Sequence, residues 1–299
     1  MNVKVHLRDR FNRIRKFVAH PALPQEKLER LSELAGSEEQ KPFRWRDGDS
    51  LSLAHNAHYT NTPDELQKGL QGNFNFLEGD VWLEGAVRQI PLLDRFREPI
   101  MAHDPTAVDG LSLAEWLEIA KRSGKGVKLD IKQSAAIGKL IETVRRSGIP
   151  EQRLVFNADV VFGPGIDNSP KLRALDVLTD FRSDTEEMLS LRRAFPKATI
   201  ALGLYTAQQP PGTRYKPEQL ASVIDMACRI GGPITFPLRA EFVDEQTVHT
   251  LKPYGSVSIW NDPRSYLPDD LEAEKKRFRE MGVDGMIDLR NSNSLQFRR

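Results

Sequence analysis

From residue 51 onward, short apolar runs rich in β-branched and aromatic residues alternate with segments whose apolar residues return every three or four positions. The first pattern is that of buried strands and the second that of amphipathic helices, so their alternation predicts parallel strands joined by crossover helices. Eight runs fit the strand pattern: 51–55, 76–83, 127–132, 154–158, 199–205, 234–238, 256–260 and 285–289. A ninth, 177–181, reads as loop or extra strand. Thr62 with Pro63 and Glu65, Ser112 with Glu115, and Ser183 with Glu186 fit the capping box that opens a helix, and Gly124, Gly148 and Gly282 fit helix ends. No Gly-x-Gly-x-x-Gly follows the first strand, so the pattern favours a closed TIM-type (β/α)8 barrel over an open doubly wound sheet.

The first 48 residues differ. Leu7, Phe11, Ile14 and Val18 mark one helical face, surrounded by Arg8, Arg10, Arg13, Arg15 and Lys16. Such a face is expected to dock on its own domain, with contact of residues 3–18 with an anionic membrane surface as the weaker alternative. Leu28, Leu31 and Leu34 predict a second helix over 25–35, capped by a left-handed Gly36, and 38–49 reads as a polar connection. The expected organisation is a helical N-terminal extension, 1–48, and a (β/α)8 barrel, 49–299.

Charge and composition narrow the partners. The 43 Lys and Arg nearly balance the 42 Asp and Glu, which argues against an extended nucleic-acid surface. No run reaches the ~18 apolar residues of a transmembrane helix, and no signal-peptide pattern opens the chain, so a cytoplasmic protein is expected. The one cysteine, Cys228, excludes an intrachain disulfide and reads as a buried small hydrophobe.

Barrel chemistry sits at the C-terminal ends of the strands, and the apolar runs close there on ionisable groups. The first ends at His55, the second holds Glu78 and Asp80, an apolar run from 99 ends at His103, and the third strand holds Asp130 and Lys132. Alternation along a strand puts Glu78 with Asp80, and Asp130 with Lys132, on one face. Three converging carboxylates raise one another's pKa unless a hard cation neutralises them, so Glu78, Asp80 and Asp130 predict a divalent metal site, Mg²⁺ first, with Ca²⁺ or Mn²⁺ as alternatives. Ion pairing of these acids with Lys132 is the competing structural explanation. His55 and His103 fit an acid/base pair and Lys132 a phosphate ligand. Asn157, Arg239 and Trp260 close later strands and are expected to contact substrate. His20, His58 and His249 lack a strand-end position and read as ordinary polar residues.

His55, Glu78-x-Asp80-Val81, His103-Asp104 and Asp130-x-Lys132 resemble the signature of the glycerophosphodiester phosphodiesterase and sphingomyelinase D type barrels, as does the closing stretch 282–288. The stretches 99–104, 113–117, 126–132, 156–159 and 235–240 are more specifically similar to the menorin (FAM151) family. The match runs from about Leu51 to Leu289. It implies a TIM-type barrel with a divalent metal on Glu78, Asp80 and Asp130, an acid/base pair of His55 and His103, and Lys132 on phosphate. The chain departs from the phosphodiesterase pattern at Asn56-Ala57, where Arg and Gly usually follow the histidine, and at Asp130, where many members carry Glu. The expected function is metal-dependent cleavage of a small-molecule or RNA-end phosphodiester: a glycerophosphodiester, a lysophospholipid, or a nucleotide or RNA cyclic phosphate. A cyclising lyase and a non-catalytic interaction protein are the alternatives.

Overall fold

The structure is a computed structural model and describes residues 23–84, 97–104, 109–166, 182–210 and 212–290. The predicted first helix, His20 and the run 177–181 lie outside the described residues.

Eight parallel strands follow one another across the sheet in chain order. They are β1 (Asn56–Ala57), β2 (Phe76–Leu83), β5 (Gly126–Ile131), β6 (Leu154–Phe162), β7 (Thr199–Tyr205), β8 (Ile234–Arg239), β9 (Ser256–Trp260) and β10 (Ile287–Asp288). Two short strands, β3 (Pro99–Met101) and β4 (Leu111–Ser112), add an antiparallel excursion at β2. Helix α1 (Gln25–Gly36) precedes the sheet. Between and after the strands come α2 (Pro63–Gln71), α3 (Leu113–Ser123), α4 (Ile137–Ser147), α5 (Thr185–Ala194), α6 (Pro217–Ile230), α7 (Glu245–Leu251) and α8 (Leu271–Glu280).

Where an apolar run is long, the strand forms as the pattern predicts, because both of its faces are covered. Every residue of β2 is buried. The capping boxes at Thr62 and Ser112 are present, and Gly124 and Gly148 end α3 and α4 with φ of 73° and 66°. Helix α5 starts one residue later than expected: Asp184, with Glu187, makes the capping box in place of Ser183 with Glu186. Gly36 is the last helical residue of α1, and Ser37 follows in extended conformation rather than a left-handed glycine cap. Cys228 is exposed on α6, not buried, because Val223, Ala227 and Ile230 supply that helix's core face.

Two departures shape the site. Residues 51–53 form a 3-10 turn instead of a strand, and Leu51 and Ala54 pack beneath the sheet against a cluster of Trp45, Phe76, Val155, Ala201 and Met286. The stretch read as a polar connection therefore carries an apolar anchor, Trp45, whose backbone N–H donates to the Gly124 carbonyl at 2.9 Å. Helix α1 shares the main core through Leu31 and Ala35. Among the described residues, no helix is long and apolar enough to cross a membrane.

Candidate functional site

The site begins where β1 leaves β2. Asn56 and Ala57 pair with Phe76 and Leu77, and the chain then turns away through Tyr59, whose φ of 58° makes it the one non-glycine residue with positive φ among those described. Thr60 secures the turn: its N–H and its hydroxyl both donate to the Glu78 carbonyl, at 2.7 and 2.8 Å. The fully buried Trp116 of α3 donates its indole N–H to the Thr60 carbonyl at 2.6 Å. The vacated edge of β2 is taken over by β3, with the Ala102 N–H on the Asp80 carbonyl at 3.0 Å, and His103 follows directly.

Register brings the polar side chains together in two layers. Glu78 lies beside Lys128, and one layer further along Asp80, Asp130 and Asn157 stand side by side on adjacent parallel strands. In-register neighbours share a face, so these groups crowd one end of the sheet. The Lys132 ammonium sits between Asp130 (2.5 Å) and Asp80 (3.3 Å), and Lys128 reaches Glu78 at 3.1 Å. Asn157 donates to Asp130 at 2.7 Å, and Asn61 donates to Asp80 at 3.1 Å.

The histidine that meets these acids is His58, not His55. Its Nδ1 lies 2.6 Å from Asp288 of β10 and 3.0 Å from Glu78. The Asn56 amide donates to both carboxylates, to Asp288 at 2.9 Å. His55 is exposed, and its Nδ1–H donates to the Asn73 carbonyl at 2.5 Å, with the ring 5.0 Å from Phe74. Because β1 covers 56–57 instead of 51–55, the side chain entering the cluster is three residues further along. His103 does approach the cluster: Asn61 donates to its Nδ1 at 3.2 Å, and its Nε2 lies 2.7 Å from Glu65. Tyr59 stands between the two histidines, its ring 4.5 Å from His58 and 5.5 Å from His103.

Electrostatics follows from this crowding. Burial pushes the His58 pKa down, but the carboxylates of Glu78 and Asp288 outweigh it and leave the imidazole raised to about 10. Burial would raise Glu78, yet His58 and Lys128 hold its carboxyl well below the usual range. Asp80 goes the other way: burial, with Asp130 and Glu78 nearby, raises it against the pull of Lys132. Burial opposes the Lys132 charge, and Asp130 and Asp80 more than restore it, so its pKa stands well above the ordinary lysine value.

A mouth cavity of about 490 Å³ opens above these groups, lined among others by His58, Asp130, Lys132, Asn157, Arg239 and Trp260. Arg239 is nearly fully buried, pairs with Glu241 at 2.9 Å and donates to Ser265 at 2.6 Å, with its guanidinium 5.5 Å from the Trp260 ring. Its Nε has no partner among the described residues.

Among the described residues, the three candidate metal ligands whose atoms lie within 4.8 Å of one another are His58, Glu78 and Asp288. The expected trio of Glu78, Asp80 and Asp130 is not gathered in that way, since Lys132 occupies the space between the two aspartates. Sequence reasoning missed His58, Asp288 and Lys128. Lys128 was open to discovery, since Lys128-x-Asp130-x-Lys132 puts all three on one face.

The human protein FAM151B is 28% identical over 228 residues, covering 72% of this chain and 75% of the human protein. Among solved structures, a phosphodiesterase from Oleispira antarctica in complex with the product sn-glycerol-3-phosphate is 15% identical, covers 71% of this chain and 80% of its own, and superposes with a TM-score of 0.41. A glycerophosphoryl diester phosphodiesterase from Parabacteroides distasonis is 10% identical, covers 90% of this chain and 92% of its own, and gives 0.45. A model of the menorin N-terminal domain matches residues 50–265, most of the chain and all of the site except Asp288, and the chain therefore belongs to the menorin family.

Proposed function

We propose that the chain is a phosphodiesterase on a TIM-type (β/α)8 barrel, acting at the C-terminal ends of β1, β2, β5 and β10. The observation that carries this reading is the Lys132 ammonium held by two aspartates beside the buried His58–Asp288 pair, at the rim of one cavity. Barrel closure is supported by the parallel order of the eight strands and by the bonds from Asn56 and His58 to Asp288, which tie the first strand to the last.

The side chains divide the work of phosphoryl transfer. Lys132 would bind a non-bridging phosphate oxygen, where developing charge rewards a fixed cation. Asp288 binds Nδ1 of His58 and leaves Nε2 to hold a proton, and the two carboxylates keep that proton in place at neutral pH. His58 would thus give its proton to the leaving oxygen. Glu65 accepts from Nε2 of His103, so His103 would take the proton of the attacking hydroxyl at Nδ1, with the hydroxyl displacing the Asn61 amide that now donates to that nitrogen. Asn157, Arg239 and Trp260 would contact the remainder of the substrate.

The donor set fits a divalent cation. Glu78, Asp80, Asp130 and Asp288 bring four carboxylates against two lysines and one histidine. The amide oxygens of Asn56 and Asn157 are buried without a partner among the described residues, which adds two neutral oxygen donors. Glu78, Asp80 and Asp130 would hold the ion, Mg²⁺ in first place, once Lys132 turns to the phosphate. Bound there, it would supply Lewis-acid stabilisation of the phosphate oxygens. A second reading has its own support in the spacing of His58, Glu78 and Asp288: these would hold the ion, and His58 would be a ligand rather than an acid.

The test is hydrolysis of bis(p-nitrophenyl) phosphate with Mg²⁺, Mn²⁺ and Ca²⁺, beside calorimetric Mn²⁺ binding. His58→Ala and His103→Ala should each lose ~10²–10⁴-fold in kcat, and His55→Ala far less. Asp130→Asn should weaken Mn²⁺ binding more than Asp288→Asn does; the reverse order favours the second reading. Phosphorus NMR of the product separates a hydrolase from a cyclising lyase. Wild-type kcat in both His58→Ala and His103→Ala overturns the proposal.

A further inference from the structure

Two lysines on one face of β5 serve the acids in different ways. Lys132 stands at the rim with its side chain 32% exposed, free to exchange Asp80 and Asp130 for a substrate oxygen. Lys128 has no such freedom. Its side chain is 11% exposed, and its ammonium lies 3.1 Å from Oε1 of Glu78, the residue beside it in the register of β2 with β5. Below it the interior narrows to a space of about 20 Å³, lined among others by Val155, Ala201 and Met286, which leaves the side chain no room to withdraw. Burial opposes the Lys128 charge, and Glu78, Asp130 and Asp288 more than restore it, so its pKa stands above the ordinary lysine value. Lys128 is therefore a resident cation among the acids.

Both ways of holding a divalent ion use Glu78, so in both the ion would enter beside this fixed charge. Like charges brought together in a poorly solvated interior repel strongly. A carboxylate that shares its negative charge with an ammonium is also a weaker donor to a metal, and an ion held by weaker donors keeps more of its charge for a phosphate oxygen. Lys128 is not needed to aim the carboxylate, because Asn56 and His58 hold the other oxygen, Oε2.

We infer that Lys128 is a positioning residue acting through Glu78: it loosens the grip of the acids on a divalent ion and thereby strengthens the pull of that ion on the phosphate. This rests on the phosphodiesterase reading with an ion bound. It gives the two lysines separate tasks, Lys132 toward the substrate and Lys128 toward the ion.

The experiment titrates the full chain, Lys128→Met and Lys128→Gln with Mn²⁺ by calorimetry, and follows hydrolysis of bis(p-nitrophenyl) phosphate at saturating Mn²⁺, with folding checked by thermal melts. Methionine keeps the length of the stem and drops the charge; glutamine drops the charge and can still donate to Glu78. Both variants should bind Mn²⁺ about tenfold more tightly than the wild type and lose about tenfold in kcat. Those opposite signs mark the role, since a lysine of merely structural use would loosen the ion when removed. Unchanged or weaker Mn²⁺ binding in both variants overturns the inference. So does wild-type binding in Lys128→Gln alone, which would reduce the lysine to a hydrogen-bond donor, and so does tighter binding with unchanged kcat. The two claims fail separately: tighter binding in the variants with no hydrolysis by the wild type sinks the phosphodiesterase reading and leaves the effect of Lys128 on the ion standing, while wild-type hydrolysis with looser binding in the variants sinks only the assignment of Lys128.

Discussion

The pairing of β2 with β5 and the seam between β1 and β10 are held together by different means. Six successive residue pairs join β2 to β5, from Phe76 with Gly126 to Val81 with Ile131. The backbone ladder fixes which side chains stand together, and Asp80 beside Asp130 is its by-product. At the seam the strands are two residues long, and what joins them is a side-chain network of Asn56, His58, Glu78 and Asp288. In the first region structure places the chemistry; in the second the chemical groups are also the structural joint. The joining of the seam should therefore answer to charge and pH, whereas the backbone pairing of the ladder, which holds no titrating group, should answer far less.

The largest effect is expected at Glu78, where the two regions meet. Glu78→Ala leaves Lys128 buried without its carboxylate partner and His58 with Asp288 alone, and losing one partner of such a buried pair costs about 3–5 kcal/mol. Urea denaturation would measure it; a loss below about 1 kcal/mol would mean that water reaches the cluster. Asp288→Asn keeps the size and removes the charged bond to His58, for a loss of about 1.5–3 kcal/mol. It should also let the His58 pKa fall, which proton NMR of the ring would follow.

Titration separates the regions directly. The folded His58 pKa, about 10, lies above the ordinary 6.5, so its stabilising contribution is complete below pH 6.5 and is lost as pH rises through 10. In chelator, stability should decline across that window by no more than about 1.4 kcal/mol per pH unit, and His58→Gln should remove this part of the slope. An unchanged slope in His58→Gln would place the titration elsewhere. The smallest effect is expected away from both regions: Thr62→Ala removes the cap of α2 and should cost about 1 kcal/mol, with no pH dependence between 6.5 and 10.

The same contrast governs what could be read from the chain alone. Strands at Phe76–Leu83, Thr199–Tyr205 and Ser256–Trp260 have the predicted bounds, because a long apolar run covered on both faces has few other places to go. Glu78, Asp80, Asp130 and Lys132 come together for the same reason: period-two alternation is local. The stretch 51–55 misleads because Leu51 and Ala54 are apolar for a different purpose, packing beneath the sheet, and the strand that forms at 56–57 brings His58 rather than His55 beside the acids. The partner that gives His58 its setting, Asp288, is 230 positions away in the chain, and no local periodicity reports a contact at that range.

Trp45 bears on where a working fragment of this protein can start. A cut at residue 48, at the boundary between extension and barrel that composition suggests, would take the indole from Phe76, Val155 and Met286 and open the underside of the sheet to water. Phe76 begins the strand that two residues later presents Glu78, so the damage would be transmitted to the acids rather than confined to the base. A shortened chain that starts before Gln25 keeps α1, Trp45 and the underside intact, and the segment ahead of the first strand is in this sense part of the foundation of the site.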